Sequence, residues 1–215
     1  MKRFLVCLLI ILSPSVLLGL TFGTFTQISA TGGNGVPPLL VVSSNGNAFA
    51  AWINSANSSL QVAYFNNAPG GGWRTATVAT NASAPQIGID GSGNAFVVWV
   101  TQGAPTQIIA SRFTAASPTT STLTQQLSAS GTYNSSPQIA VGSSGVVVVS
   151  WIQTPFTFLS KSFNPTTGVW NTSTVTLPVL PASLALDGSG NGFAIINSFS
   201  GPVQGAIQVS RITAP

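Results

Sequence analysis

The residues able to do covalent chemistry are few, and what is missing decides more than what is present. The 215-residue chain contains no His. It also contains no Glu, and its one cysteine is Cys7, close to the N-terminus. Imidazole bases, thiolate nucleophiles in the body of the chain and His/Cys metal sites are therefore excluded. Two carboxylates remain, Asp90 and Asp187. Glycoside hydrolysis by a carboxylate pair needs the two groups about 5 to 10 Å apart. Asp90 and Asp187 instead hold the same place in two copies of one motif, "IDGSGNAFVVW" from Ile89 and "LDGSGNGFAII" from Leu186. Ser43 and Gly142 hold that place in two further copies, a substitution pattern that suits a turn-forming aspartate bonded to its own backbone. Calcium sites collect several carboxylates from one loop, and each of these turns offers one at most. The glycines of "GSGNGF" precede no helix that would present its N-terminus to a phosphate. No catalytic residue, metal or cofactor is expected.

The cations are the other candidates. Lys2 and Arg3 lie at the start, leaving Arg74, Arg112, Lys161 and Arg211 against the two aspartates. That balance has no basic field of the kind that captures nucleic acid. Aligning "QVAYFN", "IIASRFT", "FLSKSF" and "IQVSRIT" places Tyr64, Arg112, Lys161 and Arg211 at one equivalent position. They are the candidate ligand-face contacts, suited to an anion or carboxylate. The structural alternative is a repeated position whose long aliphatic stems cover a sheet edge. Trp52, Trp99 and Trp151 close one segment of three repeats, and Trp73 and Trp170 open another segment in two, which reads as core filling.

The elements that must position these groups follow from the repetition. "PLLVVSSNGNAFAAW" at Pro38, "PQIGIDGSGNAFVVW" at Pro85, "PQIAVGSSGVVVVSW" at Pro137 and "ASLALDGSGNGFAII" at Ala182 are four copies of one unit. Their turn glycines, Gly46, Gly93, Gly145 and Gly190, are about 45 to 52 residues apart. Each unit reads as four short strands: one opened by the proline, a tight glycine hairpin, an apolar strand, a third such as "TQIIASRFT", and a fourth such as "GGWRTATVAT". The second strands are apolar at successive positions, so both faces of each sheet are buried. The expected fold is all-β, a β-propeller of four four-stranded antiparallel blades. The repeats cover about 38–84, 85–136, 137–180 and 181–215. The last lacks a fourth strand, and "GTFTQISATG" is expected to supply it from residues 24–31, with Ile28 matching Val78, Leu127 and Val175. In such a ring the second and fourth repeats stand opposite each other, which separates Asp90 from Asp187. Four blades is the low end for this architecture, and the alternative is a larger ring made by two chains.

The N-terminus reads as an export signal over residues 1–23: Lys2 and Arg3, then apolar "FLVCLLIIL", then small residues. No membrane span is expected once it is cleaved; retained as an anchor, it would be about the minimum spanning length. The protein is expected to be exported, to the periplasm, the cell surface or the medium, and to be a monomer or a ring-completing homodimer.

The repeat "PQIxxDGSGNAFVVW … IxASRF … GxW" resembles those of secreted bacterial β-propellers, the broad group that includes sialidase-like propeller repeats. The resemblance covers nearly all of the chain after residue 23. It implies a blade rather than a reaction, since that group includes glycosidases, lectins and scaffolds. In sialidases arginines hold a substrate carboxylate, but the motif around Arg112, Lys161 and Arg211 is too short to carry that role over. The expected function is an exported, non-catalytic binding or scaffold module for a protein or glycan. The alternatives are a lectin-like carbohydrate binder and a degenerate sialidase-like glycosidase.

Overall fold

The structure is a computed structural model, and it describes residues 25–29, 37–177, 181–197 and 207–213. The export signal expected over 1–23 lies outside the described residues, which contain no helix. None of them forms a helix long and apolar enough to cross a membrane.

Each repeat becomes one antiparallel sheet. The first contains β1 (Leu39–Val42), β2 (Ala48–Asn54), β3 (Ser59–Phe65) and β4 (Trp73–Ala79), in that order. The second contains β5 (Ala82–Ile89), β6 (Ala95–Thr101), β7 (Ile108–Phe113) and β8 (Leu123–Gln126). In the third, β9 (Asn134–Val141), β10 (Val147–Gln153) and β11 (Thr157–Asn164) are followed by a fourth strand broken into β12 (Val169–Trp170) and β13 (Val175–Leu177), both paired with β11. The last sheet contains β14 (Pro181–Leu186), β15 (Gly192–Asn197) and β16 (Ile207–Ile212).

The glycine hairpins have one geometry throughout. In the second repeat the Asp90 amide donates to the Asn94 carbonyl at 2.9 Å and the Gly93 amide to the Asp90 carbonyl at 3.1 Å. This is a three-residue loop whose last position must be left-handed. Gly46, Gly93, Gly145 and Gly190 all hold it, with φ between 81° and 90°, where any side chain would be strained.

The prolines do not open the strands of the second and third repeats, as the sequence suggested. β5 and β9 begin before them, and the ladder slips where Ala84 and Pro85 face Trp99, and where Ser136 and Pro137 face Trp151. Proline has no N–H for a ladder, so it is tolerated at a bulge. Ala84 and Ser136 take the compensating positive φ, 47° and 52°.

Stacking explains the consecutive apolar residues. Phe49, Ala51, Leu60 and Val62 on one face of the first sheet form a core with Ala95, Val97, Trp99 and Phe113 of the second. From the opposite face of the second sheet, Phe96, Val98, Val100, Ile108 and Ala110 pack on Val147, Val149, Trp151, Phe163 and Trp170 of the third. β6 is thus buried on both sides, and each large side chain so buried contributes roughly 1.5 to 3 kcal/mol. For each sheet, the face turned to its successor is here called trailing, and the other leading. Neighbouring β1 and β5, β5 and β9, and β9 and β14 carry the stack from one end to the other.

The strand expected over 24–31 differs from expectation among its described residues. Residues 25–29 are in no strand, and no ladder joins them to β16. Phe25 is exposed, whereas Ile28 packs on Ala50, Trp52, Ala63 and Trp73, on the leading face of the first sheet.

Candidate functional site

The four hairpin turns gather at one end of the stack. The Gly91 amide donates to the Ser143 carbonyl at 3.0 Å, and the Ser44 hydroxyl to the Gly91 carbonyl at 3.4 Å. A Cβ on Gly142 would lie 2.6 Å from the Asp187 carbonyl oxygen, so the third and fourth turns touch only because Gly142 has no side chain. Between the turns is a depression of about 310 Å³. Val42, Ile89, Val141 and Leu186, the last residues of the four first strands, contribute its apolar lining, and Ser43, Ser44, Asp90, Ser143 and Asp187 its polar one.

Both aspartates border this depression, yet their oxygens are engaged in the turns. Asp90 is buried and accepts from the Ser92 amide at 2.9 Å, the Asn94 amide at 2.8 Å and the Asn94 side-chain amide at 2.7 Å. Asp187 is exposed and accepts from the amides of Ser189 and Asn191 at 2.8 and 2.9 Å. This is the turn-forming role expected of them.

The cation alignment needs a correction. Strand registers pair Tyr64 with Phe49, Arg112 with Phe96 and Arg211 with Phe193. In the third repeat the residue paired with the corresponding Val148 is Ser162, and Lys161 pairs with Val149. Lys161 is one residue out of step, and in a strand one residue reverses the face. The remaining three have different surroundings. Tyr64 is fully buried and its hydroxyl donates to the Gly93 carbonyl at 2.7 Å, which ties the first sheet to the second turn. Burial first, and then the Asp90 charge, raise this hydroxyl above its ordinary value of 10.0. Arg112 is half-buried between rings of two sheets, its guanidinium carbon 5.9 Å from the Phe96 centroid and 5.8 Å from that of Phe163. Its buried Nε has no hydrogen-bond partner. Arg211 is exposed beside Asp187 in a second cavity. Tyr64 and Arg112 thus face sheet contacts, not a shared ligand position.

The tryptophans also belong to the core: Trp52, Trp99, Trp151 and Trp170 are buried and Trp73 is half-buried. Two exposed aromatics, Tyr133 and Phe156, are ones the repeat pattern passes over. At the end of the stack away from the turns, Tyr133 is 52% exposed and Phe156 83%. The Thr154 amide donates to the Tyr133 carbonyl at 2.9 Å, holding their two loops together. Neutral side chains fix the loops beneath. The Asn134 side-chain amide donates to the carbonyls of Thr106 and Thr132 at 2.8 and 2.9 Å, and the Gln107 side-chain amide to the Thr132 carbonyl at 3.2 Å. Ser128 and Gln126 both donate to Gln107 Oε1 at 2.8 Å. The sequence signal was an aromatic in a polar loop without a counterpart in the other repeats.

Among the described residues no cluster of His, Cys, Asp and Glu could hold a metal ion. No known protein family and no curated protein matches the chain.

Proposed function

We propose that this protein is an exported, non-catalytic β-propeller that acts as a binding or scaffold module for a protein or glycan partner. Its four sheets are the blades; residues 25–29 pair with no strand, and their tie to the ring is the seat of Ile28. Ile28 supports that reading: it meets the leading face of the first sheet as Val78 of β4 meets that of the second. The observation that carries the function is the pair Tyr133 and Phe156, exposed on two loops that the Thr154–Tyr133 bond joins, with Asn134, Gln107 and Ser128 tying down the Tyr133 side. Exposed aromatics on pre-ordered loops give contact area at low entropic cost. A protein partner is favoured over a sugar. The Asn134 beside Tyr133 is buried with its side-chain NH2 already donating, and no aspartate or glutamate stands there to bond sugar hydroxyls. The lectin-like and glycosidase readings are the alternatives.

Immobilised wild type and a Tyr133→Ser/Phe156→Ser variant would be compared for retention of purified envelope and secreted proteins and for binding to a glycan array. A partner held by wild type and lost with the variant at unchanged melting temperature supports the reading. Glycoside hydrolysis that disappears in Asp90→Asn or Asp187→Asn would overturn it. Sequencing of exported material is expected to start near Thr24; a retained Lys2 and Arg3 would instead mean an anchored protein.

A further inference from the structure

The register that takes Lys161 out of the alignment turns it toward Arg112. Ile108, Ala110 and Arg112 share one face of β7, and the first two belong to the core between the second and third sheets. Arg112 therefore stands on the trailing face of the second sheet, as its contacts with the Phe96 and Phe163 rings require. Across the gap, Leu159, Lys161 and Phe163 share one face of β11, and Leu159 and Phe163 belong to that same core. Lys161 thus stands on the leading face of the third sheet. The two cations enter one seam from opposite sides.

Neither has a counter-ion there. Among the described residues the Lys161 ammonium makes no hydrogen bond or ion pair, and the Arg112 guanidinium makes only its two ring contacts. Arg112 Nε is buried without a partner. The carboxylate at the turn end of this seam, Asp90 beside Gly145, is taken up by Ser92 and Asn94. Both cations are half-buried, so salt screens their repulsion less than it would at an open surface. A guanidinium held by aromatic rings keeps its N–H groups for an acceptor in its own plane. Gln125 pairs with Ala110 and so shares the face of Arg112, half-buried and with its side-chain amide also unpartnered among the described residues.

We propose that the seam between the second and third sheets binds a tetrahedral oxyanion, a phosphate or sulfate group, between Arg112 and Lys161, with Gln125 as a third donor. Arginine supplies a fork of N–H groups for two oxygens of one anion, and lysine a compact charge for another. A tetrahedral group has oxygens enough for donors from both sheets; a carboxylate, with two, is served by the arginine fork alone. The bound anion joins the sheets, so it stabilises the folded chain by linkage. The site uses neither Tyr133 nor Phe156 and needs only the contact of these two sheets, so it stands or falls apart from the partner-binding reading.

Phosphorus NMR of inorganic phosphate and of glycerol phosphate, titrated with the chain at constant ionic strength, tests this directly. Wild type should broaden the phosphate signal, with sulfate reversing the broadening and acetate leaving it. Lys161→Gln should weaken binding about tenfold, as for loss of one charge-assisted hydrogen bond. Arg112→Lys keeps the charge but loses the fork, and should weaken it several-fold; this variant carries the test if Lys161→Gln does not fold. Arg74→Gln, an exposed cation of the first sheet, should change nothing. Broadening of inorganic phosphate makes the ligand a free ion; broadening of glycerol phosphate alone, with the same response to the variants, makes it an esterified group at the same site. No broadening of either would overturn the proposal. So would binding that survives both Lys161→Gln and Arg112→Lys, or that falls equally in Arg74→Gln.

Discussion

The Tyr64 hydroxyl donates to the carbonyl of Gly93 at 2.7 Å, joining a strand of one sheet to the turn of the next. The two residues are 29 apart in sequence and belong to different repeats. Such a bond makes the order of the sheets, and not only their individual folding, a property of particular side chains.

Tyr64→Phe should cost about 1 kcal/mol at neutral pH, because the Gly93 carbonyl loses a buried donor. The folded hydroxyl holds its proton to higher pH than the unfolded one, since burial and Asp90 raise it above 10.0. Its contribution is therefore complete below that value and is lost as pH rises through and beyond it. Urea unfolding at pH 8 and at pH 11 should show wild type losing more stability than Tyr64→Phe. An equal loss in both would show that the hydroxyl is not linked to folding.

Arg112 and Lys161 looked equivalent in the alignment and should behave differently. Arg112 lies against the rings of Phe96 and Phe163, and cation–π contacts of this kind are worth roughly 0.5 to 2 kcal/mol. Arg112→Ala is expected to cost about 1 to 2 kcal/mol in urea unfolding, and Lys161→Ala to stay within about 0.5 kcal/mol. Equal costs would restore the alignment that the strand register removes.

Asp90 and Asp187 share a motif position but not an environment. Asp90→Ala removes a buried acceptor from three donors in a part-buried turn and should cost about 1 to 2 kcal/mol. Asp187→Ala, at an exposed turn, should cost less than about 1 kcal/mol. Denaturant midpoints of the two variants provide the comparison. A larger loss for Asp187 would mean that its carboxylate does more than form the turn.

Much of this fold was legible because the repeat states it four times. The glycine after each first strand marks a left-handed turn, and the unbroken apolar run from Ala95 to Val100 announces a strand buried on both faces. The bulges opposite Trp99 and Trp151 were hidden because proline serves equally as a strand opener and as a bulge residue. Lys161 was misplaced because the strands were matched on charge, when the ladder partners of Phe113 and Phe163 set the register. Tyr133 and Phe156 were missed for the opposite reason: with no counterpart in the other repeats, a loop aromatic gives periodicity nothing to detect.

The proposed ring of four repeats depends on the segment around Ile28, within residues 24–31. Its most direct measurement is thermal melting with light scattering of the exported chain with and without those residues. Loss of the half-buried Ile28 from Ala50, Trp52 and Ala63 removes roughly 1 kcal/mol of burial, and the loss of closure adds to it. Removal of residues 24–31 should lower the melting temperature by at least about 4 °C, with association of the truncated protein through its exposed last sheet. An unchanged melting temperature and a monodisperse truncated chain would contradict it.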